Sequence, residues 1–252
     1  MITLAGGTGL VGKTLTQALV RDGEQVRVLT RDPEAAATAF GDAKLEIVGV
    51  DFDDPATLRS GFTGSDKAYL SYSTTDRQVR DEIALIDAAI GADVPYLVNL
   101  SVGGAAGSHP ANVVRWHTEI DAYLAGTGVA STVVRPTTFI DTMLKIASNF
   151  VRAGAWGGLG GAGRVALIDT RDVAAVFAVI LTDDPQRHSL LLQAAQVDGV
   201  LLQRLEAPRR RGCARAWRPP APNSWSEPSS DTGDTKIVRL QDICRDDFGI
   251  PL

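Results

Sequence analysis

A chain of 252 residues, 44% hydrophobic and carrying a net charge of -5, has enough apolar side chain to close a full core, and its acidity disfavours nucleic acid as a partner. No apolar run reaches the roughly 20 residues of a membrane span, and the opening residues run straight into a strand-like segment rather than a leader. Two late cysteines, Cys213 and Cys244, and three histidines without paired ligand spacing argue against a zinc site and suit a reducing, cytoplasmic setting.

The first element is read between Ile2 and Gly12, where ITLAGGTGLVG passes from an apolar run through a glycine turn into a helical pattern. Gly7, Gly9 and Gly12 fit G-x-G-x-x-G, while Gly6, Gly9 and Gly12 fit G-x-x-G-x-x-G. Strand, glycine turn and helix start together form the arrangement that receives a dinucleotide pyrophosphate. The segment Gly6, Gly7, Thr8, Gly9, Leu10, Val11, Gly12 is therefore the expected phosphate cradle. Gly7 to Thr14 also matches G-x-x-x-x-G-K-T formally, so a nucleotide triphosphatase stands as an alternative. No apolar strand ending in a metal-binding acid supports it.

Strand and helix then alternate. Gln25–Thr30, Leu45–Asp51, Lys67–Ser71, Tyr96–Ser101 and Ser131–Arg135 read as strands two to six. Asp32-Pro33 and Asp54-Pro55 each supply a helix cap followed by a first-turn proline. Helices are expected over Val79–Ile90 and Val113–Leu124. This alternation predicts an α/β fold with a doubly wound parallel sheet, whose ligand crevice lies at the carboxyl ends of the strands.

The tip of strand two bears on the choice of dinucleotide. An acid about 20 residues beyond the glycines would bind ribose hydroxyls and favour NAD. Here Thr30 ends the strand and Arg31 follows, offering a guanidinium to a 2′-phosphate, so NADP (NADPH) is the expected cofactor, with Arg31 as a plain surface charge the alternative. Asp51 and Phe52 are expected at the adenine. Ser71, Tyr72 and Ser73 at the tip of strand four are expected beside the crevice, and Asn99 and Ser101 at the tip of strand five are candidate cofactor and substrate contacts.

Several segments together carry a family resemblance: GGTGLVG (Gly6–Gly12), VRVLTRDP (Val26–Pro33), VDFDDPATL (Val50–Leu58), RWHTEIDAYLAGTGV (Arg115–Val129), VVRPTTF (Val133–Phe139) and ALIDTRDVAAV (Ala166–Val176). From Met1 to about His188 the chain resembles the NmrA-like branch of the atypical short-chain dehydrogenase/reductases. The resemblance implies a Rossmann domain, a cofactor contact at Pro136, and a small C-terminal substrate region. Its members range from quinone-type reductases to cofactor-sensing regulators. Where short-chain dehydrogenases carry Tyr-x-x-x-Lys, this chain has Val113 and His117, so the tyrosine acid is absent. His117 and Ser101 are the candidate catalytic residues, His117 either as a proton donor or as a ribose contact.

Residues 1–188 are thus expected to form the cofactor domain and 189–252 an atypical remnant of the substrate region. There Arg204, Arg209, Arg210, Arg211, Arg215 and Arg218 precede Pro219, Pro220, Pro222 and Pro228, and the strand and glycine-rich segment that the resemblance implies are not recognisable. Two readings are open: a disordered basic insertion for an acidic partner, or a shifted reading frame. The expected function is NADPH-dependent reduction of a small quinone-like or aromatic carbonyl substrate; the alternative is a non-catalytic NADP-binding sensor.

Overall fold

The computed structural model describes residues 1–105, 110–152, 166–182 and 200–205. All of these belong to a unit spanning Met1–Ala207, and the remainder, Pro208–Leu252, lies outside them. The expected domain boundary at residue 188, both cysteines and five of the six tail arginines also fall outside the described residues. Among the described residues no helix is long and apolar enough to cross a membrane.

The elements follow the expected alternation: β1 (Ile2–Ala5), α1 (Leu10–Arg21), β2 (Val26–Thr30), α2 (Pro33–Phe40), β3 (Glu46–Gly49), α3 (Pro55–Phe62), β4 (Lys67–Leu70), α4 (Gln78–Gly91), β5 (Tyr96–Leu100), α5 (Asn112–Thr127) and β6 (Ala130–Pro136). Beyond these come β7 (Thr138–Phe139), α6 (Ile140–Arg152), β8 (Leu167–Ile168), α7 (Thr170–Thr182) and β9 (Val200–Leu205). The sheet runs in the order β3-β2-β1-β4-β5-β6-β9, parallel from β3 to β6, with the order reversing between β1 and β4. This is the expected doubly wound Rossmann sheet, and its reversal opens a crevice beside the glycine turn.

Burial explains why the inner strands are apolar throughout. Ile2, Leu4 and Ala5 of β1, Ala68 to Leu70 of β4 and Leu97 and Val98 of β5 are buried, as required of strands covered by helices on both faces. On one face α1 packs on α7; on the other α3, α4 and α5 pack in succession. The two helix starts are built as expected: Asp32 Oδ1 accepts from Ala35 N at 2.9 Å, and Asp54 Oδ1 accepts from Ala56 N at 2.9 Å.

One expectation is corrected at the sheet edge. Val200–Leu205, in a stretch read as having lost its strand, pairs antiparallel with β6 from Ser131↔Leu205 to Pro136↔Val200. The sequence VLLQRL is rich enough in branched apolar residues to extend beside β6, although Arg204 within it was grouped with the basic tail.

Candidate functional site

A cleft of about 890 Å³ runs over the carboxyl ends of β2, β1, β4, β5 and β6. At its centre lies the glycine turn. Gly6 has φ +92°, and a Cβ there would stand 2.5 Å from the Ser71 carbonyl oxygen, so the position admits only glycine without strain. A Cβ on Gly12 would be driven into the Gly6 carbonyl, which lets α1 start directly against the turn. Gly9 has an ordinary φ of -74° and meets only the Gly6 carbonyl, at 3.2 Å. Its lack of a side chain leaves room for a ligand to approach the backbone. Among the cradle residues, Gly6, Thr8, Gly9, Leu10, Val11 and Gly12 line the cleft. Gly7 does not, because a Cβ there would press on Leu4, Thr16 and Val28. Its role is packing. Lys13, which a triphosphate-binding loop would aim at its ligand, is also absent from the lining.

One end of the cleft is a slot of aromatic rings. Phe52 and Tyr72 meet edge to face with centroids 5.0 Å apart, and the Arg31 guanidinium lies 6.0 Å from one ring centre and 5.8 Å from the other. All three line the cleft, as do Ser71 and Ser73. Behind the slot, Asp81 collects Arg77 at 3.1 Å, Arg80 at 2.8 Å and the Tyr72 hydroxyl, and both arginines also reach Asp53, at 3.1 and 2.7 Å. Burial alone would raise the Asp81 carboxyl, but these donors outweigh it and hold it low. Asp51 is not part of the slot. Its Oδ1 accepts from Asp53 N and its amide donates to Thr57 Oγ1, closing the β3–α3 turn.

The opposite end is formed by Leu100, Ser101, Val102, Val113, His117 and the segment Pro136–Phe139. Pro136, the cofactor contact that the resemblance implies, lines this end of the cleft. Asn99 does not line the cleft: it is buried, and with its amide turned to donate, its nitrogen reaches Leu70 O at 3.2 Å and Glu82 Oε1 at 2.9 Å. Ser101 is at the cleft, but its hydroxyl donates to Asp121 Oδ2 at 2.9 Å, and Asp121 is also bound by Arg135 at 2.7 Å. A hydroxyl whose proton is held by a buried carboxylate is poorly placed to orient a substrate. His117 is 8% exposed, and burial pulls its pKa down to about 4. Burial thus favours the neutral ring, which carries one N–H donor and one bare nitrogen. Its Nε2 stands 3.1 Å from Gln78 Nε2, while Nδ1 has no partner.

Sequence reasoning missed the polar layer beneath this end: Gln78, Glu82, Asp121 and Arg135, all buried. A signal was present. Glu82 occupies the apolar stripe of α4 with Leu85, Ile86 and Ala89, and Asp121 that of α5 with Val114, Ile120 and Leu124. A carboxylate in a core stripe marks either a paired charge or a shifted acid.

These residues fit a dinucleotide. The glycine cradle exposes backbone amides at the start of α1, the ring slot accepts a flat heterocycle, and the far end is walled by Val113, His117 and Pro136–Phe139.

The NmrA-like family matches residues 1–199. The chain belongs to that family. NAD(P)H azoreductase of Xenophilus azovorans is 32% identical over 182 residues, covering 72% of this chain and 63% of that protein. Quinone oxidoreductase 2 of Escherichia coli strain K12 is 27% identical over 186 residues, covering 73% of this chain and 64% of that one. The solved structure of an NADPH-dependent quinone oxidoreductase from Escherichia coli complexed with NADPH superposes with a TM-score of 0.67 at 25% identity, over 73% of this chain and 65% of that chain. The aligned stretch thus spans just under two thirds of these NmrA-like relatives' own length.

Proposed function

We propose that this chain is an NADPH-dependent reductase of small, neutral, quinone-like or aromatic carbonyl compounds. The observation that carries the reading is the cleft itself, which runs from a guanidinium and ring slot across the glycine cradle to a largely apolar wall of Val102, Val113, Pro136 and Phe139 beside His117. The similar azoreductase and quinone oxidoreductase supply the reaction class. Adenine would lie against Phe52 and Tyr72, a 2′-phosphate would meet Arg31, and the pyrophosphate would meet the amides at the start of α1. The nicotinamide ribose would lie against the wall formed by His117 and Pro136–Phe139. When bound, the reduced nicotinamide supplies a hydride.

The choice of substrate follows from what the wall lacks. With Val113 in place of a tyrosine and His117 neutral, the described residues at this end hold no general acid. A quinone tolerates that, because two-electron reduction leaves a stabilised oxyanion that water can protonate. Val102, Val113, Pro136 and Phe139 offer apolar contact to a flat ring, with Thr138 and Thr142 as hydroxyl neighbours. Among the described lining residues the formal charges, Arg31 and Asp32, stand at the adenine end.

The same absence of an acid supports the second reading, a sensor that binds NADPH without turnover. Loss of the reduced-nicotinamide absorbance with a panel of benzoquinones, naphthoquinones and an azo dye distinguishes the two. Sustained oxidation supports the reductase, and tight calorimetric binding without oxidation supports the sensor. In the reductase, His117→Ala is expected to lower kcat/KM by about tenfold, the loss of one polar contact at this wall.

A further inference from the structure

Gln78 and Glu82 sit one turn apart on α4 with no measurable exposure, where apolar side chains would pack without the cost of burying an amide and a carboxyl. Gln78 Nε2 lies 3.3 Å from Glu82 Oε2 and 3.1 Å from His117 Nε2 on the neighbouring helix α5. An amide nitrogen carries two hydrogens and accepts none, so in this arrangement it donates to both neighbours. His117 Nε2 must then be the bare ring nitrogen. The ring proton is left on Nδ1, the nitrogen without a protein partner in a residue that lines the cleft. A neutral imidazole free of such a contact distributes its proton between both nitrogens.

We propose that Gln78 is a positioning residue: anchored on the Glu82 carboxylate while that group is ionised, its amide selects the tautomer of His117, a residue of the cofactor's end of the cleft, that carries the ring proton on Nδ1. The cofactor at that end rests on the reductase reading above; the tautomer does not. Two further features support the arrangement. Glu82 Oε1 is occupied by the Asn99 amide at 2.9 Å, which leaves Oε2 as the oxygen that faces Gln78. The burial that holds His117 near a pKa of 4 keeps the ring neutral, the only state in which a tautomer exists to be selected.

The anchor is itself ionisable. Burial pushes Glu82 up to about 8, against the hydrogen bond from Gln78. A proton on Oε2 would turn that oxygen into a donor. Gln78 would then present its carbonyl to both neighbours, and the ring proton would move to Nε2. The other ionisable groups around Glu82 are His117 and Asp121 on α5 and Tyr69 on β4, with Arg135 of β6 paired to Asp121. His117 is neutral over the range in question, and Asp121 is tied to Arg135.

The test is nitrogen-15 NMR of the His117 ring in the full chain at pH 9 and pH 7, with calorimetric titration of NADPH at both. At pH 9 the expected pattern is a protonated Nδ1 and a bare Nε2, changing toward a protonated Nε2 at pH 7. In Gln78→Leu the ring should show mixed tautomers, indifferent to pH over this interval, and NADPH should bind about tenfold more weakly at pH 9, the loss of one oriented hydrogen bond. A purely structural Gln78 would lower the melting point without moving the ring nitrogens. A protonated Nε2 at pH 9 in the parent would overturn the proposal without recourse to any variant. So would a Gln78→Leu protein with the parent's ring pattern and affinity. Should that variant fail to fold, Gln78→Met keeps the volume and lacks the amide, and the same outcomes apply. Failure of NADPH to bind the parent at all would instead count against the reductase reading, while the ring spectrum would still decide the role of Gln78.

Discussion

Arg31 is the single side chain on which the proposed preference for NADPH rests. Its guanidinium is held against Phe52 and Tyr72, so its planar fork is partly ordered before any phosphate arrives, and less rotamer freedom is lost on binding. Arg31→Ala is expected to remove about 1–3 kcal/mol of the preference for NADPH over NADH, the range for a hydrogen bond to a charged group. Calorimetric affinities for both cofactors in parent and variant test this, and equal affinities in the parent would refute the preference. Arg31 was legible from its position after Thr30. The rings that fix it were only half legible, because Phe52 and Tyr72 are some twenty positions apart in sequence and meet only once β3 and β4 are placed on either side of the β2–β1 pair. His117 was found by aligning a helix, but the burial that favours its neutral form comes from the packing of α4 and α5 and from no neighbour in sequence.

At the scale of elements, the glycine turn divides two tasks that the motif alone runs together. Gly12 is closed by the Gly6 carbonyl, whereas Gly9 has open space on the cleft side. Gly12→Ala is therefore expected to destabilise the fold by roughly 1–3 kcal/mol, as overpacking against backbone does. Gly9→Val should leave the melting point close to the parent's and abolish cofactor binding by filling the approach to the amides. Thermal melts paired with calorimetry separate the two, and a Gly9→Val protein that still binds NADPH would show that the backbone is not approached there. Strands and helix caps were readable because local rules determine them: Asp-Pro pairs start α2 and α3, and apolar runs make inner strands. The polar layer between α4 and α5 was not, because Glu82 and His117 are 35 positions apart and acquire their meaning only when the two helices pack. Edge strand β9 escaped notice because its arginine drew it into the composition of the residues that follow.

For the whole molecule, two buried groups pull stability in opposite directions with pH. Glu82 is raised from 4.5 to about 8, so the stability it lends is complete below about 4.5 and lost as pH climbs through 8. His117 is lowered from 6.5 to about 4, so its contribution is present above 6.5 and lost as pH falls toward 4. Between 4.5 and 6.5 the two slopes cancel, and the loss from Glu82 stands alone from 6.5 to 8. The melting temperature should accordingly be level on the acid side of 6.5 and fall by roughly 5 °C or more by pH 8.5. Glu82→Gln should remove most of that fall. An unchanged slope in the variant would mean that the carboxyl is ionised throughout.

The antiparallel strand β9 has a consequence for assembly. Its partner β6 lies roughly seventy positions earlier, so closing this pair costs more chain entropy than any βαβ step, and β9 is expected to join last and leave first. Whenever it is away, the backbone of Ser131–Pro136 becomes an open, apolar edge able to recruit a strand from another copy. Leu202→Pro, which removes an amide and stiffens the strand, should therefore raise light scattering with protein concentration on mild warming while leaving the far edge at β3 untouched. The short β9 would then serve less as a support for the sheet than as a guard against self-association.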